Sequence, residues 1–75
     1  MEKLIEILEE LKPGVDYENK EDLIDGRYLD SLTILSLVSE IEEEFDVEIP
    51  AVEIIPQNFN SASKIYELIL KLQNE

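Results

Sequence analysis

Ser31 sits between Asp30 and Leu32 in "YLDSL", ahead of a long apolar-patterned stretch. A serine nucleophile needs a base within hydrogen-bond reach and donors for the oxyanion that its attack creates. The chain contains no histidine, and "YLDSL" lacks the glycines of the G-x-S-x-G elbow of serine hydrolases. Self-contained catalysis by Ser31 is therefore disfavoured. A structural role also fits, because either Ser31 or Asp30 can cap a following helix by accepting a hydrogen bond from a free backbone amide. A capping position is an exposed one, so the serine stays accessible in either case.

Other chemistry-bearing residues have plainer readings. Asp22 and Asp25 before Gly26 resemble a fragment of a calcium loop, but the alternating ligand spacing and distal glutamate of an EF-hand are missing. They read as turn-forming acids. The run Glu42, Glu43, Glu44 reads first as a solvated helix face. With no cysteine in the chain, thiolate catalysis, disulfides and Cys-based metal sites are excluded together.

The elements that must position Ser31 follow from periodicity. Leu4, Ile7, Leu8 and Leu11 share one face of a helix over residues 2 to 11, which Pro13 and Gly14 end. Residues 15 to 30 show no sustained period and read as a long loop, with Gly26 at a bend and Val15, Leu23, Ile24 and Leu29 available to pin it. From Leu32 to Asp46 the helical period returns, with Ile34, Leu37, Val38, Ile41 and Phe45 as its buried stripe. Thr33, Ser36, Glu40 and Glu43 lie opposite, while Leu32 and Leu35 fall at the edge beside Ser31. Pro50 and Pro56 leave room for at most one short turn around residues 51 to 55. Asn60 or Ser61 can cap a last helix carrying Ile65, Leu68, Ile69 and Leu72 on one face. The expected fold is all-α, a bundle of three long helices plus one short one.

The 75 residues suit a single domain, one that buries only about 60% of its unfolded surface. A hydrophobic fraction of 44% is too high for a disordered acidic tail. Nineteen acidic against six basic residues give a net charge of −13, which favours a soluble monomer. No basic residue lies between Arg27 and Lys64, so nucleic acid is not an expected partner. A protein docking on this region would present basic groups. The opening "MEKLIEILEELKPG" is too acidic and interrupted for a signal peptide or membrane span, so a cytoplasmic protein without membrane insertion is expected.

Taken together, "LDSL", the acidic helix ending in "EIEEEFDVEIP" and the approach "NFNSASKIYELI" resemble the acyl carrier proteins over almost the whole chain. The resemblance implies an acyl-carrier-like bundle and a protein that is not itself an enzyme. It implies that Ser31, flanked by Asp30 and Leu32, receives 4′-phosphopantetheine from coenzyme A through a phosphopantetheinyl transferase. The arm's thiol would then hold acyl or aminoacyl groups as thioesters. It further implies a loading ligase and downstream transferases with basic docking surfaces, met by Leu35, Ser36, Glu40, Glu43 and Glu44. Tyr28 replaces the glycine that fatty-acid-synthesis members carry three residues before the serine, and Thr33 and Ser36 replace acids after it. The "P-x-N-F-x-S" approach to the last helix is similar to free-standing D-alanyl carriers of teichoic acid modification and to stand-alone carriers of peptide and polyketide pathways. A specialised stand-alone carrier is the first expectation, with D-alanyl and fatty acid carriers as alternatives. The rival from another class is an acidic helical adaptor that is never modified.

Overall fold

Helix α1, Glu2–Leu11, turns Leu4, Ile7 and Leu8 inward and leaves its glutamates in solvent. The computed structural model describes residues 1–74. The chain leaves α1 through Pro13 and Gly14, whose φ of 86° lies in the left-handed region that glycine enters without steric cost. Helix α2 spans Ser31–Phe45, a 3-10 turn spans Ala51–Glu53, and the short helix α3 spans Pro56–Phe59. Helix α4, Ala62–Gln73, completes the bundle. Among the described residues there is no strand.

The apolar stripes meet in a shared core. Helix α1 packs on α2 and α4, and α3 packs on α4. From α2 come Ile34, Leu37, Val38 and Ile41, and from α4 come Ala62, Ile65, Leu68 and Ile69. Phe45, expected in the buried stripe, is only half-buried. It is the last residue of α2, and Asp46 turns the chain away in a left-handed conformation with φ of 54°. Helix α2 also begins at Ser31, one residue ahead of the expected Leu32.

The one short turn expected around residues 51 to 55 is present, and a second short helix follows it that the sequence-based expectation does not include. The 3-10 turn ends at Glu53, and α3 then starts on Pro56 itself. Proline is well suited to a first helical position, where its amide would have no partner anyway. Side chains tie this segment down. Glu42 accepts a hydrogen bond from the Ile49 amide at 2.9 Å, Asn58 donates to the Glu53 carbonyl at 2.8 Å, and Lys71 pairs with Glu53 at 3.0 Å.

The loop from 15 to 30 is packed rather than loose. Leu23 and Leu29 are buried, Val15 and Ile24 partly so, and Tyr17 joins the core with its hydroxyl donating to the Lys12 carbonyl. Burial, and secondarily the Glu9 carboxylate, raise the Tyr17 pKa above its usual value. Truncating a fully buried leucine such as Leu23 removes both transfer energy and packing, about 2 to 5 kcal/mol in known cores.

Candidate functional site

The start of α2 separates two jobs that the sequence leaves shared between neighbours. Asp30 is extended, with φ of −96° and ψ of 177°, and its Oδ1 accepts the Thr33 amide at 2.8 Å. Asp30 is therefore the cap. The hydrogen bonds from Thr33 hold its carboxyl below the ordinary aspartate range, with a smaller contribution from the Lys12 charge. A carboxylate engaged in this way and held at low pKa is a poor general base. Ser31 occupies the first helical position, exposed, and among the described residues its hydroxyl has no hydrogen-bond partner.

A groove of about 490 Å³ opens beside Ser31 and Asp30, walled by Ile24, Arg27, Leu29, Ile34, Leu35 and Ile54. Ile24, Ile34 and Ile54 also line a smaller cleft of about 100 Å³ that reaches Pro56 and Phe59. Exposed apolar side chains stand nearby in sequence: Leu32, next to Ser31, is 77% exposed and the groove residue Leu35 60%. Val52 on the 3-10 turn is 79% exposed. Val52 carries no periodic signal in the sequence, because it belongs to a three-residue 3-10 turn.

The loop leading into Ser31 is held by a residue 35 positions or more away. Asn60 Oδ1 accepts the amides of Ile24 at 3.0 Å and Asp25 at 3.1 Å, and its Nδ2 donates to Asp25 Oδ2 at 3.1 Å. The Leu23 amide donates to the Asn60 carbonyl at 2.8 Å. Asn60 is thus a clamp, and Ser61 is the cap of α4. Gly26 closes the turn, its amide bonding the Asp22 carbonyl at 2.6 Å. A side chain at Gly26 would meet Asp22 Oδ2 at 2.6 Å and the Tyr28 ring at 2.7 Å. Asp22 and Asp25 serve this turn, and Lys20 lies 4.7 Å from the centre of the Tyr28 ring.

The acids proposed for partner contact lie along α2, away from the serine. Ser36, Glu40 and Glu43 are exposed, whereas Glu44 pairs with Lys3 at 3.5 Å. Glu42 is half-buried on the Ile49 amide, so the acidic run is only partly a solvated face. The structure gathers Asp30, Ser31 and Leu35 at one groove and leaves the glutamates outside it.

Such an arrangement offers an accessible hydroxyl that, among the described residues, has no base hydrogen-bonded to it. A family model described as the phosphopantetheine attachment site matches residues 2–69. The chain belongs to this phosphopantetheine-binding carrier family. The carrier is 38% identical to the D-alanyl carrier protein of Streptococcus sanguinis (strain SK36) over 73 residues, covering 96% of this chain and 92% of that one. It is 37% identical, over the same shares, to the D-alanyl carrier proteins of Streptococcus gordonii (strain Challis) and Streptococcus thermophilus (strain LMD-9). The carrier's cofactor is 4′-phosphopantetheine, held covalently, and its all-helical architecture agrees with the acyl-carrier-like bundle expected from the sequence. An exposed serine at the mouth of an apolar groove has room for such an arm.

Proposed function

We propose that Ser31 is the attachment point of the arm and that the loaded protein carries a small acyl or aminoacyl group between enzymes of a specialised pathway. The observation that supports this most directly is the uncommitted hydroxyl of Ser31 on the exposed first turn of α2, left free because Asp30 does the capping. The Ser31 oxygen forms the new bond to the pantetheine-bearing phosphorus of coenzyme A as the pyrophosphate P–O bond breaks and adenosine 3′,5′-bisphosphate leaves, and the serine proton passes to a base on the transferase, which is why the chain needs no histidine. The free amides and partial positive charge at the start of α2 favour the phosphodiester that results. The arm supplies the thiol on which cargo is held. Leu32, Leu35 and Val52 give partner enzymes an apolar contact, and Glu40 and Glu43 attract basic docking surfaces. The partners in this reading are a phosphopantetheinyl transferase, a loading ligase and downstream transferases, and the compartment is the cytoplasm, where coenzyme A is at hand.

D-alanine is the cargo that the relatives' names favour. The cleft beyond the groove, about 100 Å³, suits a group of that size, since a water molecule in the liquid takes about 30 Å³. Incubation with coenzyme A and a broad-specificity phosphopantetheinyl transferase, followed by intact mass, tests the attachment. Wild-type protein gains the mass of one arm and Ser31→Ala gains none. No gain in wild type, or an equal gain in the variant, would leave the unmodified acidic adaptor as the better reading. Offering the loaded protein D-alanine, ATP and a D-alanine-activating ligase then tests the cargo by a second mass step.

A further inference from the structure

We propose that Arg27 binds the phosphodiester of the Ser31-linked arm, acting as a positioning residue that fixes the root of the arm at the groove. This rests on Ser31 being the attachment point and extends it to a residue that the attachment motif does not include. Arg27 stands four residues ahead of Ser31 and lines the same groove, where it is the cationic side chain among the lining residues. The charged group closest in sequence to Ser31 is Asp30, whose Oδ1 is already engaged by the Thr33 amide. A phosphodiester placed there would face a carboxylate in a chain of net charge −13. A guanidinium at the groove offsets that repulsion, and its planar fork can meet two phosphate oxygens at once.

Two independent features mark Arg27. Lys3, Lys64 and Lys71 are engaged by glutamates, whereas among the described residues Arg27, like Lys12 and Lys20, forms no ion pair, and of these three it is the one that lines the groove beside Ser31. Its backbone also has φ of 62°, a left-handed conformation that strains a side-chain-bearing residue and that glycine would adopt freely. The surrounding turn enforces this conformation. The Arg27 amide bonds the Ile24 carbonyl at 3.0 Å, the Tyr28 amide bonds the Leu23 carbonyl at 2.9 Å, and Asn60 anchors the Ile24 and Asp25 amides. A strained residue held in place beside a site is a reason to look for a role there. The charge at its tip supplies one.

The test compares apo and loaded forms of wild type, Arg27→Gln and Arg27→Gly, with the arm on each verified by intact mass. Failure to gain mass in wild type would count against Ser31 as the attachment point, independently of Arg27. Given a loaded protein, the Arg27 Nε–Hε NMR signal should shift between apo and loaded wild type at low salt, and that shift should shrink at about 1 M salt, where screening reaches only ~3 Å. The phosphorus-31 signal of the arm should differ between wild type and both variants. The gain in Tm on loading should be smaller in both variants by about 2 to 5 °C, even though Arg27→Gly relieves backbone strain and melts higher in the apo form. A phosphorus signal and a loading-dependent Tm gain unchanged in both variants would overturn the proposal. So would slower modification of the variants with an unchanged phosphorus signal, which would make Arg27 a docking contact for the transferase.

Discussion

Ser31 and Ser61 both stand at the start of a helix, and the fold uses them in opposite ways. Ser61 is the N-cap of α4, its Oγ accepting the Lys64 amide at 3.1 Å, and it is buried. Ser31 is one residue inside α2, exposed, with the capping done by Asp30. The same side chain is structural in one place and available for chemistry in the other. What separates them is the preceding residue. Asp30 has a short acceptor in extended conformation ready for the Thr33 amide, whereas Asn60 is occupied with the loop at Ile24 and Asp25, so the cap of α4 falls to Ser61.

The comparison can be broken from either side. Ser31→Ala should abolish modification while leaving stability within about 0.5 kcal/mol, as expected of an exposed side chain that makes no hydrogen bond among the described residues and is not itself the cap; intact mass and a urea midpoint read both. A midpoint that fell strongly would show that Ser31 is structural after all. Asn60→Ala removes the clamp on the Ile24 and Asp25 amides and should destabilise by about 1 to 3 kcal/mol, with slower transfer to a Ser31 whose leading loop is loosened. Ser61→Ala should cost about 1 kcal/mol, the usual loss of a serine cap, and leave the mass gain intact. If Ser61→Ala also lost the arm, the division of roles between the serines would fail.

The smallest effect sharpens the role of Asp30. Its folded pKa lies below the unfolded value because the Thr33 amide stabilises the carboxylate. The contribution is therefore complete above the ordinary value of 3.8 and is lost as pH falls through the lower folded value. Wild type should melt slightly above Asp30→Asn at about pH 7, and the gap should close in that acidic window. A gap that persisted below it would mean that the cap does not depend on charge.

Helices α1, α2 and α4 were legible because their apolar residues recur at helical spacing, and Leu32 and Leu35 fell outside the buried stripe for the same reason. The long loop was harder. Tyr17 is in the core, yet nothing periodic surrounds it, and its hydroxyl partner is a backbone carbonyl that no residue type announces. In the sequence Pro50 and Pro56 mark limits to helix, whereas in the fold Pro56 begins one. At the site, the motif singled out Ser31 and its neighbours. The clamp by Asn60 and the groove wall of Arg27, Ile24 and Ile54 depend on contacts between residues far apart in the chain, and a pattern confined to one segment does not carry them. The acidic run also looked uniform, although Glu42 serves the backbone, Glu44 pairs with Lys3 and Glu43 is exposed.

Helix α2 has 15 residues, which at about 1.5 Å per residue makes it roughly 22 Å long. Ser31 opens it and Glu43 and Glu44 lie in its last turn, in a molecule whose largest extent is 32 Å. The helix is therefore a ruler. An enzyme that grips the acids and also reaches Ser31 must lay its surface along most of the carrier, whereas one that reads only Leu32 and Leu35 can approach end-on. Partners of the two kinds would differ in footprint, so one carrier could present itself lengthwise to the first and tip-first to the second without changing shape.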